Sequence, residues 1–397
     1  MISIVGIGMD GKNTITYEAK KAITEADMLI GAKRMLTPFA ELGIPSVEEY
    51  HTDRIVAAIN ENKEKKIAVL MSGDCGFYSG AAKLREALKD CDVSVISGIS
   101  SPLYFCSKAG LDWSDMNFLS LHGASANIVR NVSSHRKNFF LMGGDITPVE
   151  LCRRLADYGL GDVRIWIGSE LSYENENIVS GTASEIARSG MKFGRLVSLI
   201  AVNEDYERFV RASIPDEEFI RGKVPMTKAE VRGIIVNGLD IGRESICWDI
   251  GSGTGSVAVE MALRCTDGRV FAIDCNEEAC GLIRSNSVKF RCDNIAVVHG
   301  EASDEVMNFP APDSVFIGGS KGKMVEIIEC AIRKNPSVKL TVSAVSLETL
   351  QQAKAIFDEV GIDCDITQIA VTRIRKIGTH TMLAAENPIF IIRRKNT

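Results

Sequence analysis

Three glycines at alternate positions, Gly251, Gly253 and Gly255, follow an acid-containing apolar run in "CWDIGSGTGSVAVEMA", residues 247 to 262. Glycine has no Cβ, so such a loop brings backbone close to a ligand. Residue type excludes two common phosphate loops. The dinucleotide pattern G-x-G-x-x-G needs glycine where Ser256 stands, and the P-loop needs a lysine that this stretch lacks. Downstream, "VFAID" ends in Asp274, about 20 residues on, where an acid accepts hydrogen bonds from ribose hydroxyls. "VVHGEASDE" then offers Ala302 as a small residue for a backbone contact to a purine edge. These residues describe a site for adenosine without pyrophosphate, which S-adenosylmethionine satisfies. The candidate cofactor residues of this half are Gly251, Ser252, Gly253, Thr254, Gly255, Asp274 and Ala302, with Thr227 at the helix start upstream.

A second set of glycine turns lies near the start. "IVGIG" places Gly6 and Gly8 after an apolar run, and "LMSGDCGFYSGA" ends another in Ser72, Gly73 and Asp74. "VISGISSPLYF" supplies Ser100 and Ser101, and "FFLMGGDITP" supplies Gly143 and Gly144. Each turn runs strand, small residues, helix. Together they describe a cleft lined by backbone amides and carbonyls at one sheet edge.

These loops need sheets to carry them. In the first part, apolar runs at Ile2 to Val5, Ile67 to Met71, Val93 to Ile96, Phe139 to Met142, Val163 to Ile167 and Leu196 to Val202 alternate with amphipathic segments. Such alternation predicts α/β architecture with largely parallel sheet. Residues 203 to 222 are charged and read as a linker. In "KVPMTKAEVRGIIVNGL", Thr227 and Glu230 form a candidate capping box opening a new domain. Six further strand-like runs follow, from Ile246 to Ile392, with helical patterns at 256–265, 276–289, 321–333 and 346–359. The reading is a domain over 1–205, a linker over 206–222 and a doubly wound domain over 223–397.

Bulk properties narrow the class. A chain of 397 residues is long enough for two or three cores. A net charge of −6 gives no basic field for nucleic acid. The 11 cysteines are scattered with no C-x-x-C, and the five histidines form no H-x-x-x-H pair, so no metal site is expected. Scattered free thiols, a strand-like rather than signal-like beginning and no apolar run of membrane-spanning length predict a cytoplasmic protein away from the membrane.

The segments "VGIG", "SGDCGFYSGA", "SGISS", "LSLHG" and "WIGSELSYENE" resemble the tetrapyrrole methylase family, in particular its CbiE-like branch. "PMTKAEVR", "WDIGSGTGSVAVE", "FIGGS" and "TRIRKIGTHTM" resemble the CbiT-like branch of class I methyltransferases. The two in this order resemble the family of bifunctional, decarboxylating precorrin-6Y C(5,15)-methyltransferases. The resemblance implies an N-terminal fold of two α/β subdomains with a cleft, then a Rossmann-like methyltransferase, each with its own S-adenosylmethionine site. It implies methylation of a corrinoid precursor at carbons 5 and 15, decarboxylation of its ring C acetate, and a homo-oligomer. The alternatives are a single carbon-15 activity with a non-catalytic N-terminal binding module, or an NAD-linked oxidoreductase. Because the implied substrate carries many carboxylates, Arg373, Arg375, Lys376 and Lys321 are candidates to hold them, and His380 is a candidate proton donor. Ser343 to Ser346 are also candidates to face the substrate. Three departures stand out: Met9-Asp10 where the family's first loop has proline, Cys75 where the second has proline, and Ser97 before Gly98 in the third.

Overall fold

The computed structural model describes residues 1–122, 127–208 and 211–395. Gly123 of "LSLHG" and Phe209 and Val210 of the expected linker lie outside the described residues. The chain forms two compact units. One contains Met1–Ser125, Arg136–Arg153 and Asp162–Glu204, the other Ala126–His135, Arg154–Gly161 and Asp205–Thr397.

The first unit holds two five-stranded sheets. In the first, β1 (Ile2–Gly6), β2 (Met28–Gly31), β3 (Ser46–Glu48), β4 (Ile67–Met71) and β5 (Val93–Ile96) are ordered β3-β2-β4-β1-β5, every pair parallel. β4 reads IAVLM with all five residues buried, as expected of a strand flanked by parallel neighbours and covered on both faces. The second sheet contains β6 (Met116–Ser120), β7 (Lys137–Leu141), β8 (Arg164–Ser169), β9 (Asn177–Thr182) and β10 (Val197–Val202), ordered β6-β7-β10-β8-β9. Only β6 and β7 run parallel here. This corrects the expectation of largely parallel sheet. The link from β8 to β9 is too short for the crossover that parallel neighbours require, which takes about a dozen residues. β10 then inserts antiparallel to both β7 and β8.

The second unit is built on β11 (Ile246–Ile250), β12 (Arg269–Asp274), β13 (Ile295–His299), β14 (Ser314–Ile317), β15 (Lys339–Ala344), β16 (Cys364–Ile369), β17 (Thr372–Ile377), β18 (His380–Ala385) and β19 (Ile389–Arg394). Seven of these form one sheet ordered β13-β12-β11-β14-β15-β19-β16, while β17 and β18 pair as a separate ribbon. β11 to β15 run parallel and β19 inserts antiparallel between β15 and β16. Helices Ser256–Arg264, Glu277–Lys289, Met324–Lys334 and Leu347–Glu359 follow β11, β12, β14 and β15. Strand order departs in both directions from β11, the switch point at which open α/β sheets bind ligands beyond their carboxyl ends.

A buried guanidinium organises the entry to this unit. Arg232, fully buried, donates from Nε to Glu260 at 2.7 Å and from Nη1 to the Thr227 carbonyl at 2.7 Å and Asp216 at 3.2 Å. Nη2 donates to the Ile214 carbonyl, and the group lies over the Phe219 ring at 4.7 Å. Ile214 and Phe219 are themselves buried, so this stretch of the expected linker is part of the core. The expected capping box is absent. Helix Ala229–Gly238 starts after Lys228 with no side-chain cap, and Glu230 pairs instead with Arg373 at 2.8 Å. A charge-assisted bond to a guanidinium outweighs a bond to one backbone N–H. No described helix is long and apolar enough to cross a membrane.

Candidate active sites

In the second unit, the loop after β11 turns through Gly251 and Gly253 at φ of 70° and 56°. A Cβ on Gly251 would stand 2.6 Å from the Gly319 carbonyl, and one on Gly253 would stand 2.6 Å from the Pro225 carbonyl. Both positions therefore demand glycine for conformation and for space. Asp274, ending β12, ties the loop down: one carboxylate oxygen accepts from Gly253 N and the other from Asn276 N, each at 2.9 Å. Two oxygens offer about four acceptor sites, so capacity remains for ribose hydroxyls.

A cavity of about 330 Å³ opens here, lined by Gly251, Gly253, Asp274, Glu301, Ala302 and Lys321 among others. Val224 and Pro225, from the stretch that Arg232 holds, form one wall. Gly251, Gly253, Asp274, Ala302 and Lys321 thus come together. Ser252 turns inward and donates to the Asp249 carbonyl at 2.8 Å, and Thr254 is fully buried. Thr227, Ser252, Thr254 and Gly255 do not line the cavity; Gly255 packs against Ile283 instead. Lys321 sits at φ 48°, a strained conformation for a side-chain-bearing residue, with Nζ 3.2 Å from Glu301. Asp249 lies beneath the loop, fully buried, with neither carboxylate oxygen hydrogen-bonded among the described residues. Burial pushes its carboxyl up to about 7.

The basic cluster at 373–380 is placed differently. Arg373 is committed to Glu386 and Glu230, both at 2.8 Å. Arg375, Lys376 and His380 lie on the β17–β18 ribbon and do not line the cavity. Ser346 caps helix Leu347–Glu359 by accepting from Thr349 N at 3.2 Å, which is a structural task.

In the first unit, three loops meet backbone to backbone. Gly8 and Gly73 exchange hydrogen bonds of 3.1 and 2.6 Å, and a Cβ on Gly6 would stand 2.7 Å from Gly98 N. Asp74 joins the second and third loops, accepting from Gly76 N at 2.7 Å and Gly98 N at 3.0 Å. The departures from the family pattern have local substitutes. Asp10 accepts from Lys12 N and Asn13 N at 3.1 Å and from the Thr14 hydroxyl at 3.0 Å. Burial raises its carboxyl, but these donors outweigh burial and hold it below its ordinary value. Cys75 points its thiol at the carbonyls of Ile96 and Ile4, and burial pushes that thiol up to about 11.

Two adjoining cavities of about 190 and 570 Å³ open beside these loops and share His122, Met142, Arg195 and Val197. Of the predicted residues, Ser101 lines the smaller and Gly143 the larger. Gly6, Gly8, Gly73, Asp74 and Ser100 build the loops behind the walls and do not line either cavity. Ser72 and Gly144, from the same turns, line the smaller and the larger cavity respectively, while Met9, Arg34, His122, Tyr173 and Arg195 line them and were not foreseen as site residues. His122 and Tyr173 fall inside "LSLHG" and "WIGSELSYENE", so their motifs carried a signal. Arg34 and Arg195 had none, because a lone arginine in sequence reads as a solvated charge.

Two α/β modules, each with a cavity beside glycine loops and neither with a phosphate loop, fit the class of methyltransferases. The comparisons with known proteins make this particular. Residues 1–187 match the model of the tetrapyrrole (corrin/porphyrin) methylases, and 218–395 match that of the precorrin methyltransferase domain. A probable cobalt-precorrin-6B C(15)-methyltransferase (decarboxylating) of Pyrobaculum calidifontis is 38% identical over 187 residues, 46% of this chain and 96% of that protein. A precorrin-6Y C(5,15)-methyltransferase (decarboxylating) of a Sinorhizobium species is 25% identical over 385 residues, 96% of this chain and 92% of that one. Among solved structures, the precorrin 8w decarboxylase of Methanobacterium thermoautotrophicum is 34% identical, with a TM-score of 0.44 over 46% of this chain and 100% of that one. The chain belongs to the precorrin methyltransferases, with a tetrapyrrole methylase module ahead of the precorrin methyltransferase module.

Proposed function

We propose that this chain carries out two S-adenosylmethionine-dependent methylations of a corrinoid precursor in cobalamin biosynthesis, at carbons 5 and 15, with decarboxylation of the ring C acetate. The first unit serves carbon 5 and the second serves carbon 15 and the decarboxylation, one cofactor site in each. The observation that carries this reading is the pairing of two cavities beside glycine loops, each loop set fixed by an aspartate that follows a strand.

The cofactor supplies an electrophilic methyl group for in-line displacement. The protein's task is alignment, worth several kcal/mol when two partners are held in attack geometry. In the second unit, Gly251 and Gly253 leave room for adenosine, Asp274 receives the ribose, and Ala302 faces the purine. Lys321 is placed to receive a carboxylate of the corrinoid or to move a proton at its Nζ. In the first unit, the Gly8–Gly73 bridge and Asp74 hold the loops that Met9, Ser72 and Ser101 present to the cavity.

Mass spectrometry of the product from purified protein, S-adenosylmethionine and metal-free or cobalt-containing precursor tests the reading. Two methyl gains and one loss of carbon dioxide are expected. One methyl gain with carbon dioxide loss would reduce the first unit to a binding module. Absence of both changes would overturn the reading.

A further inference from the structure

The joined cavities of the first unit carry an unbalanced charge. Arg34, Lys192, Arg195 and His122 line them, and no aspartate or glutamate does. None of the three permanent cations has an ion-pair partner among the described residues. Arg34 is nevertheless held: Nη1 donates to the Tyr173 hydroxyl at 2.7 Å and Nη2 to Ser72 Oγ at 3.1 Å. The Tyr173 hydroxyl in turn donates to the Met9 carbonyl at 2.6 Å, on the first glycine loop. A guanidinium fixed by neutral hydroxyls at a cavity wall keeps its whole charge for an incoming anion. Arginine's planar fork matches a carboxylate bidentately.

We infer that Arg34 and Arg195, with Lys192, receive the carboxylate side chains of the macrocycle in the first unit, and that Tyr173 is the positioning residue that aims Arg34. This rests on the functional reading above and adds its carboxylate receptors. The cofactor also carries a carboxylate, but only one, and its sulfonium and ammonium make it a net cation. Three unneutralised cations exceed what that single carboxylate can match and call for a polyanion beside it. The receptors come from two separate segments, at 34 and at 192–195, and so read the ligand from two sides.

The test is steady-state kinetics of carbon-5 methylation by the full chain, with R34A, R195A and Y173F, beside calorimetric titration with S-adenosylmethionine. Each arginine loss is expected to raise KM for the corrinoid about tenfold or more, the size of a lost charged hydrogen bond. kcat and cofactor affinity should change little. R34K should recover part of the KM, and Y173F should raise KM less than R34A. The rise of KM with salt should flatten in R34A/R195A. Unchanged KM in that double variant overturns the inference. So does a loss of cofactor affinity with unchanged KM, which would give the arginines to the cofactor's carboxylate. Failure of the wild-type chain to methylate carbon 5 overturns the functional reading instead. The receptors are then judged by corrinoid binding at equilibrium, where unchanged affinity in R34A/R195A refutes them.

Discussion

The two units solve one problem, holding a glycine loop open beside a ligand, with opposite electrostatics. In the second unit the cavity wall carries Asp274 and Glu301 against a single Lys321. In the first, the joined cavities carry three cations and no acid. Both use an aspartate to clamp a glycine N–H, Asp274 at the end of β12 on Gly253 and Asp74 in the loop after β4 on Gly98. The clamp is common while the lining differs. Under the proposed function, the common loop geometry answers a shared cofactor, and the differing lining answers what each unit holds beside it. The supports differ as well. The first unit's loops brace one another through backbone, whereas the second unit's wall depends on a buried guanidinium more than one residue away from the cavity.

Removing that guanidinium should have the largest effect. Arg232→Met leaves the buried Glu260 with only its longer pair to Arg264 at 3.8 Å and the hydrogen bonds from Ser213 and Ile214 N, a loss of up to about 3–5 kcal/mol. The second unit should unfold at lower denaturant and lose cofactor binding, while carbon-5 methylation persists. R232M/E260Q should recover part of the stability, because both buried charges are then gone. Equal loss in both units on chemical denaturation would contradict the separation of their supports.

A second contrast lies in pH. Asp249 is held near 7 in the folded second unit against 3.8 ordinarily, so the folded state keeps a proton that the unfolded chain releases. Stability must therefore fall as pH rises from about 4 to about 7 and level off above. At about 1.4 kcal/mol per pH unit of difference, the swing is roughly 4 kcal/mol. Asp249→Asn should flatten this slope in urea titrations at pH 5 and pH 8. A slope unchanged by the substitution would assign it elsewhere, for instance to buried Asp293, whose carboxyl is also raised by burial.

Smaller and more local is Gly253→Ala. Its positive φ costs on the order of 1–3 kcal/mol with a side chain, and the new methyl meets the Pro225 carbonyl. Affinity at the second site should fall about tenfold or more, with carbon-5 methylation unchanged. Affinity within twofold of the parent would mean that the loop and the Pro225 wall are looser than their geometry.

Much of the second unit was legible because its strands are short apolar runs bounded by acids and glycines. "ICWDIGSGTG" marks both the central strand and the cavity edge in ten residues. The β17–β18 ribbon was not legible: "TRIRKI" alternates charge with isoleucine, and Ile374 is exposed rather than packed. Its basic residues read as a pocket, but Arg373 is drawn to Glu230 from a helix some 140 residues earlier in the chain. The same long-range pair removed Glu230 from the capping box that local spacing predicted. In the first unit, the antiparallel insertion of β10 left no mark, since strand and helix alternate in sequence whichever way the strand enters. Loop residues such as Gly8 and Asp74 were visible as types. Their role in bracing one another rather than facing the ligand depends on loops about 65 residues apart meeting, which no local pattern encodes.

Isothermal calorimetry of the full chain with S-adenosylmethionine, repeated with Asp274→Ala, tests whether each unit binds a methyl donor. Two binding events per chain are predicted, with the second unit's event weakened or lost in the variant and the other retained. A single event per chain, abolished by Asp274→Ala, would contradict the claim that each unit carries its own methyl donor.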